Sequence, residues 1–143
     1  MTTLWFDLEE TVIKSWDTPF IINQEKIFNF LKLFPCDEIG IFSFAIWDDK
    51  DRAVFNAQMK PHLEAIFDIR ISHVPTKQEL FQAIKKANKK QFDFDDFCDF
   101  WGKENGFSDW IRATNTGTHI LIDDMVEDCE MKFNNCHIIM RHI

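Results

Sequence analysis

Short apolar runs alternate along the chain with segments of helical periodicity. The runs at residues 3–6, 38–44, 69–74, 119–122 and 136–141 predict buried strands. After the first run, apolar residues recur at helical spacing behind a capping Asn23. A helical stretch begins near residue 49, where Pro61 should break or restart it. Thr76 and Glu79 have the spacing of a capping box, which predicts another helix through Ala87.

Strands separated by helices predict βαβ units with right-handed crossovers. We therefore expect one α/β domain over residues 1–143, with a Rossmann-like parallel sheet flanked by helices and no separate cap domain. Residues 92–117 form a helical insertion in this alternation. It contains an aromatic helix, a turn at Gly106 and a short helix from Ser108. Its aromatic residues (Phe94, Phe97, Phe100 and Trp101) favour extra core, and a lid over the site or a homodimer surface are the alternatives.

Two of the apolar runs end in carboxylates. Asp7 follows the first, with Glu9 and Thr11 shortly after it. The run at 119–122 leads into Asp123 and Asp124, and Asp128 completes a D-D-x-x-x-D pattern. Parallel neighbouring strands would bring these acids to the sheet edge at which α/β proteins bind ligands. Carboxylates at close range require a cation, and Mg²⁺ prefers oxygen ligands. The alternative is that Asp123 and Asp124 cap the next helix.

In this order, the motifs resemble those of the haloacid dehalogenase-like (HAD) hydrolase superfamily. Asp7-Leu8-Glu9-Glu10-Thr11 is similar to its D-x-D-x-T motif. The run ending at Ser43 looks like its second motif, a strand that ends in Ser or Thr. Asp123, Asp124 and Asp128 are similar to its last motif, a strand followed by D-D or D-D-x-x-x-D. The first motif is closest to the capless branch typified by the RNA polymerase C-terminal-domain phosphatases.

The resemblance implies a Mg²⁺-dependent phosphomonoester hydrolase that acts through an aspartyl-phosphate on Asp7. Glu9 would be the general acid/base, and Thr11, Ser43 and a lysine would bind the phosphoryl group. The implied metal ligands are Asp7, Glu9, Asp123, Asp124 and Asp128.

Two lysines are candidates for the phosphate-binding lysine. Lys77 is the first choice, because it follows a predicted strand and lies in the first turn of the next helix. Lys103 is the second, because it lies nearer to the last motif in the sequence.

Glu9 departs from the family motif, which has Asp at that position. The carboxylate lies one methylene further from the backbone, and a displacement of about 1 Å can cost about a hundredfold in rate. The alternative function is therefore a lapsed or impaired HAD-fold binding or inhibitor protein. Ile and Phe far outnumber Leu, which hints at an AT-rich genome such as that of a phage. A receiver-like phospho-acceptor domain ranks last, since it would have its acid pair early in the chain.

Charge and composition limit the classes of partner that the protein can bind. The net charge of −8 disfavours general nucleic-acid binding and anionic membranes, which require basic patches. A phosphorylated protein or small molecule remains compatible, because a bound metal inverts the local field. No apolar run reaches membrane-spanning length, and the first residues lack a signal-peptide pattern, so we expect a cytoplasmic protein. None of the four cysteines forms a C-x-x-C pair, and we expect them to be reduced.

Overall fold

A computed structural model describes residues 1–88 and 102–143 and contains a six-stranded, mostly parallel sheet. The strand order is β3-β2-β1-β4-β6-β5, and β5 runs antiparallel to β6. The predicted α/β sheet flanked by helices is thus confirmed. The strands are β1 (Thr2–Phe6), β2 (Glu38–Ile41), β3 (Ile71–His73), β4 (Gly117–Asp123), β5 (Cys129–Lys132) and β6 (Cys136–His142).

Helices of the described residues flank the sheet. They are α1 (Gln24–Leu33), α2 (Asp49–Val54), α3 (Lys60–Phe67), α4 (Lys77–Asn88) and α5 (Lys103–Thr114). A π-helical turn, Phe55–Met59, joins α2 to α3. Pro61 lies in the first turn of α3, where a missing N–H is tolerated. The predicted capping box at α4 is present: the Thr76 N–H donates to the Glu79 carboxylate, and the Glu79 N–H donates to the Thr76 hydroxyl.

The register of the central strands determines where the predicted functional residues lie. Phe6, the last residue of β1, pairs with Ile41 of β2 and Ile122 of β4. Beyond it, the Asp7 N–H donates to the Ile122 carbonyl at 3.0 Å, and the Phe42 N–H donates to the Phe6 carbonyl at 2.9 Å. The residues that follow the three strands therefore emerge at the same edge of the sheet.

The core has one layer on each face of the sheet, because successive strand residues point to opposite faces. Leu4 and Phe6 pack with the side chains of α1 and α3. Trp5 packs on the other face with the side chains of α4 and α5. The Trp5 ring lies across Gly40, where an added Cβ would come within 2.4 Å of two ring carbons. Only glycine leaves room for the Trp5 ring at this position.

Three local predictions were wrong. A short helix was expected between the acids Asp123 and Asp124 and the last strand. Residues 129–132 of that segment instead form the edge strand β5, whose alternating half-buried pattern is a weak strand signal. Gly106 and Ser108 lie inside α5 and do not form a turn and a helix start, since both are buried against the sheet. Asn23 adopts φ 54° at the start of α1 and makes no capping hydrogen bond. Its amide instead donates to the Thr11 carbonyl and anchors the loop after β1.

Part of the predicted insertion lies outside the described residues. The aromatic helix predicted over Phe94, Phe97, Phe100 and Trp101, and with it the lid and homodimer alternatives, falls in that part. The described part of the insertion is α5, which packs on the sheet next to α4. Across the two described ranges, no helix has the length and apolar character needed to cross a membrane.

Candidate active site

Three aspartates converge at the carboxyl edge of the sheet. Asp7 follows β1, Asp123 is the last residue of β4, and Asp124 comes next. One carboxylate oxygen from each lies within 4.8 Å of the other two. Asp7 and Asp123 are buried, so this cluster is shielded from bulk water on most sides. We refer to these three residues as the acid cluster.

Lys103, the first residue of α5, brings one positive charge to the acid cluster. Its Nζ lies 2.6 Å from Asp7 Oδ1 and 3.3 Å from Asp123 Oδ2. One ammonium cannot balance three carboxylates, so the cluster retains negative charge when all three are ionised. A lysine was expected here, but Lys77 was the first choice from the sequence, and the structure places Lys103 beside Asp7.

Asp123 carries an unsatisfied oxygen. Its Oδ1 accepts a hydrogen bond from the Met125 N–H at 2.8 Å. Its Oδ2 is buried and, among the described residues, receives no hydrogen bond, because the 3.3 Å contact with Lys103 is not aligned as one. Burial raises the pKa of Asp123 to about 7, with Lys103 opposing the rise and Asp7 adding to it. Burial also raises the pKa of Asp7, against the lowering effect of Lys103.

These observations fit a divalent cation. Converging carboxylate oxygens are suitable ligands for a hard divalent cation such as Mg²⁺, and a buried oxygen that receives no hydrogen bond is costly. The carboxylates of Asp7, Asp123 and Asp124 are the ligands that the chain supplies at this point.

Thr11 holds two members of the acid cluster in place. Its Oγ1 lies 3.2 Å from both Asp7 Oδ2 and Asp124 Oδ1, and it accepts the Asp124 N–H at 3.2 Å. A hydroxyl has one proton, so it donates to one carboxylate at a time. Thr11 is fully buried. The geometry thus makes it a positioning residue for carboxylates, where the sequence predicted a phosphate ligand.

Ser43 lies at the expected edge of the sheet. It is buried two residues after β2, and its Oγ accepts the Ala45 N–H at 3.1 Å. That bond leaves its O–H proton available as a donor to a ligand. Lys77 makes no ion pair with the acid cluster: its Nζ is 4.6 Å from the centre of the Phe44 ring and 4.8 Å from that of Trp47.

Glu9 and Asp128, the other two predicted metal ligands, lie outside the acid cluster. Glu9 Oε2 accepts the Trp16 N–H at 2.7 Å, within the loop that follows β1. Asp128 Oδ1 accepts the His142 N–H at 2.8 Å, which ties the entry of β5 to the end of β6. Each carboxylate satisfies a nearby backbone donor.

A separate cavity of about 660 Å³ lies at the opposite, amino-terminal edge of the sheet. Trp5, Trp110 and His119 line one side of it. His119 is buried, accepts the Trp5 indole N–H on Nδ1 and contacts the Thr116 carbonyl with Nε2, which fixes the neutral tautomer. Burial lowers the pKa of His119 accordingly. The contacts of this histidine are those of a packed side chain, and the cavity does not include the acid cluster.

Comparison of the chain with protein-family models, with curated proteins and with solved structures finds no match.

Proposed function

We propose that the protein is a Mg²⁺-dependent phosphomonoester hydrolase with a HAD-like fold. The observation that carries this proposal is the acid cluster, in which Asp7 directly follows the central strand and contacts Lys103 at 2.6 Å. A carboxylate nucleophile, a cation beside it and a set of oxygen ligands are the parts that phosphoryl transfer requires.

Asp7 is the nucleophile of the proposed reaction. One of its carboxylate oxygens attacks phosphorus, the bond from phosphorus to the ester oxygen breaks, and an aspartyl-phosphate forms. A water molecule then attacks this phosphorus, and the bond to the Asp7 oxygen breaks to release phosphate. Lys103 orients Asp7 and binds a phosphoryl oxygen, and the Ser43 hydroxyl donates to another.

The acid cluster also holds the metal in this proposal. Bound Mg²⁺ would neutralise the charge that develops on the phosphoryl oxygens. Asp7, Asp123 and Asp124 would be its protein ligands. Thr11 keeps the Asp7 and Asp124 carboxylates facing one another through its hydroxyl.

Glu9 is the proposed general acid/base. It would protonate the leaving oxygen and then accept a proton from water, but it must first release the Trp16 N–H that it binds at 2.7 Å. This hydrogen bond favours the second candidate function, a binding or inhibitor protein that has lost efficient catalysis. In that case the acid cluster would bind Mg²⁺ and turnover would be slow or absent.

Hydrolysis of phenyl phosphate with and without Mg²⁺ tests the proposal. We expect slow turnover that needs Mg²⁺ and that disappears in Asp7→Asn. Asp17→Asn is the matched control, since Asp17 is exposed in the loop after β1 and should leave turnover unchanged. Full turnover in Asp7→Asn contradicts the nucleophile, and no turnover in the parent protein, with Mg²⁺ still bound, supports the second candidate.

A further inference from the structure

Lys77 is a buried cation between two aromatic rings. The residue is 6% exposed, and its Nζ lies 4.6 Å from the centre of the Phe44 ring and 4.8 Å from that of the Trp47 ring. In the described ranges, no carboxylate lies within ion-pair distance of it. Lys103, the other lysine near these rings, does have carboxylate partners.

The backbone around Lys77 is fixed. Its N–H donates to the Ile46 carbonyl at 2.8 Å, and the Gln78 N–H donates to the Trp47 carbonyl at 3.1 Å. The capping box starts α4 at this point. The backbone at the start of α4 is therefore attached to the segment after β2, which also carries Ser43. This attachment fixes the point from which the Lys77 side chain extends.

The Phe44 ring contacts both this ammonium group and that of Lys103. The centre of its ring lies 4.6 Å from Lys77 Nζ and 4.9 Å from Lys103 Nζ. Lys103 Nζ in turn contacts Asp7 at 2.6 Å. Two ammonium groups thus share one ring, and only one of them is neutralised by the acid cluster.

Aromatic faces satisfy the charge of Lys77 only in part. A cation–π contact attracts the ammonium to the ring face, but it uses none of the three N–H donors as conventional hydrogen bonds. Burying an ammonium group is costly unless an anion or good acceptors accompany it. An oxyanion supplied by a ligand would provide both charge and acceptors.

We infer that Lys77 binds a second anionic group of the substrate, beside the phosphoryl group that Lys103 contacts. This inference rests on the proposed phosphatase function and narrows its substrate class. The preferred substrate is a phosphomonoester that carries another oxyanion, a carboxylate or a second phosphate, close to the ester. Trp47, whose ring contacts Lys77 Nζ, is itself exposed to solvent.

Phosphonates, which are not hydrolysed, test the inference by binding alone. Affinities of phenylphosphonate and of its 2-, 3- and 4-carboxy derivatives are measured by calorimetry on the parent protein with Mg²⁺. We expect at least one carboxy derivative to bind about tenfold more tightly than phenylphosphonate. Lys77→Met should remove that preference, and Lys77→Arg should keep most of it.

Lys85→Met is the matched control. Lys85 lies on the same helix, and its Nζ also lies over a ring, 5.5 Å from the centre of Phe81, but two turns further along α4. It should retain the preference of the parent. Adding phosphate-bearing derivatives, such as phosphophenylphosphonates, distinguishes a second phosphate from a carboxylate.

The outcomes separate the two proposals. Equal affinity of the parent for all the phosphonates overturns the inference, and so does a preference that survives in Lys77→Met while the protein stays folded. If the parent hydrolyses phenyl phosphate but binds all the phosphonates equally, the inference about Lys77 is overturned and the proposed function is not. If no phosphonate binds and no phosphate ester is hydrolysed, both are overturned.

Discussion

Replacing Asp123 with Asn should make the metal-free protein more stable at pH 8 and abolish its stabilisation by Mg²⁺. The Asp123 carboxylate is buried, and its Oδ2 has no hydrogen bond from the described residues. Asn has nearly the same shape but no charge. The substitution therefore removes the cost of burying an anion together with a ligand for the metal.

The magnitude follows from the pKa of Asp123, which burial raises from an ordinary 3.8 to about 7. A difference of about three corresponds to about 4 kcal/mol at pH 8, because each pKa unit is equivalent to about 1.36 kcal/mol. This value is a ceiling. The buried amide of Asn must find partners of its own, which costs about 1–3 kcal/mol, so the expected net gain is about 1–3 kcal/mol.

Urea unfolding between pH 4 and pH 8 measures both effects. Between pH 4 and pH 7 the folded state keeps a proton that the unfolded state has lost, so the parent becomes less stable as pH rises. The variant should lose less stability across this window. At pH 8, Mg²⁺ at a hundred times its dissociation constant should stabilise the parent by about 2.7 kcal/mol and the variant hardly at all. The exposed Asp17→Asn should behave as the parent.

Two results would refute this reasoning. An equal pH slope in parent and variant from pH 4 to pH 7 would mean that Asp123 titrates normally in the folded protein. An equal response to Mg²⁺ would place the cation away from the acid cluster, even if the pH slopes differed.

Three further predictions test other parts of the fold and site. Glu9→Gln keeps an acceptor for the Trp16 N–H, so the melting temperature should not change. Because Gln cannot give up a proton, turnover of phenyl phosphate should fall at least about a hundredfold. Unchanged turnover would assign proton transfer to another group. Thr76→Ala removes one half of the capping box and should cost about 1 kcal/mol in urea unfolding, and no loss would mean that water caps α4 equally well. Gly40→Ala puts a methyl group 2.4 Å from the ring of Trp5 and should cost about 1–3 kcal/mol, whereas Trp5→Phe in the same chain should recover part of it.

The sequence predicted the acid cluster because its signal is local. Asp7 and Asp123 each follow an apolar run directly, and parallel strands bring such positions to one edge. Lys103 had no local signal of this kind. Its contact with Asp7 joins residues 96 positions apart and depends on how α5 packs on the sheet. Lys77 had a local pattern, because it follows a predicted strand and lies in the first turn of the next helix, and it was ranked first for that reason.

The other departures involve backbone groups that a residue pattern does not reveal. Glu9 and Asp128 match a carboxylate motif, yet each binds a nearby N–H, of Trp16 and His142 respectively. β5 was missed because an edge strand needs only a weak alternation, and antiparallel pairing with β6 supplies its partners. Sequence patterns thus indicated which faces are buried and gave no information on these hydrogen bonds.

The central position of β1 has a consequence for biosynthesis. One neighbour, β2, ends at Ile41, but the other, β4, begins at Gly117. During synthesis, the edge of β1 that pairs with β4 stays unpaired until β4 has emerged from the ribosome. Pairing between strands so far apart in sequence is slow, and the unpaired edge is exposed to aggregation. Asp7 meets Asp123 only after that step. Only chains whose synthesis has passed β4 would therefore contain the complete acid cluster and could bind a divalent cation there, whereas shorter, stalled chains could not.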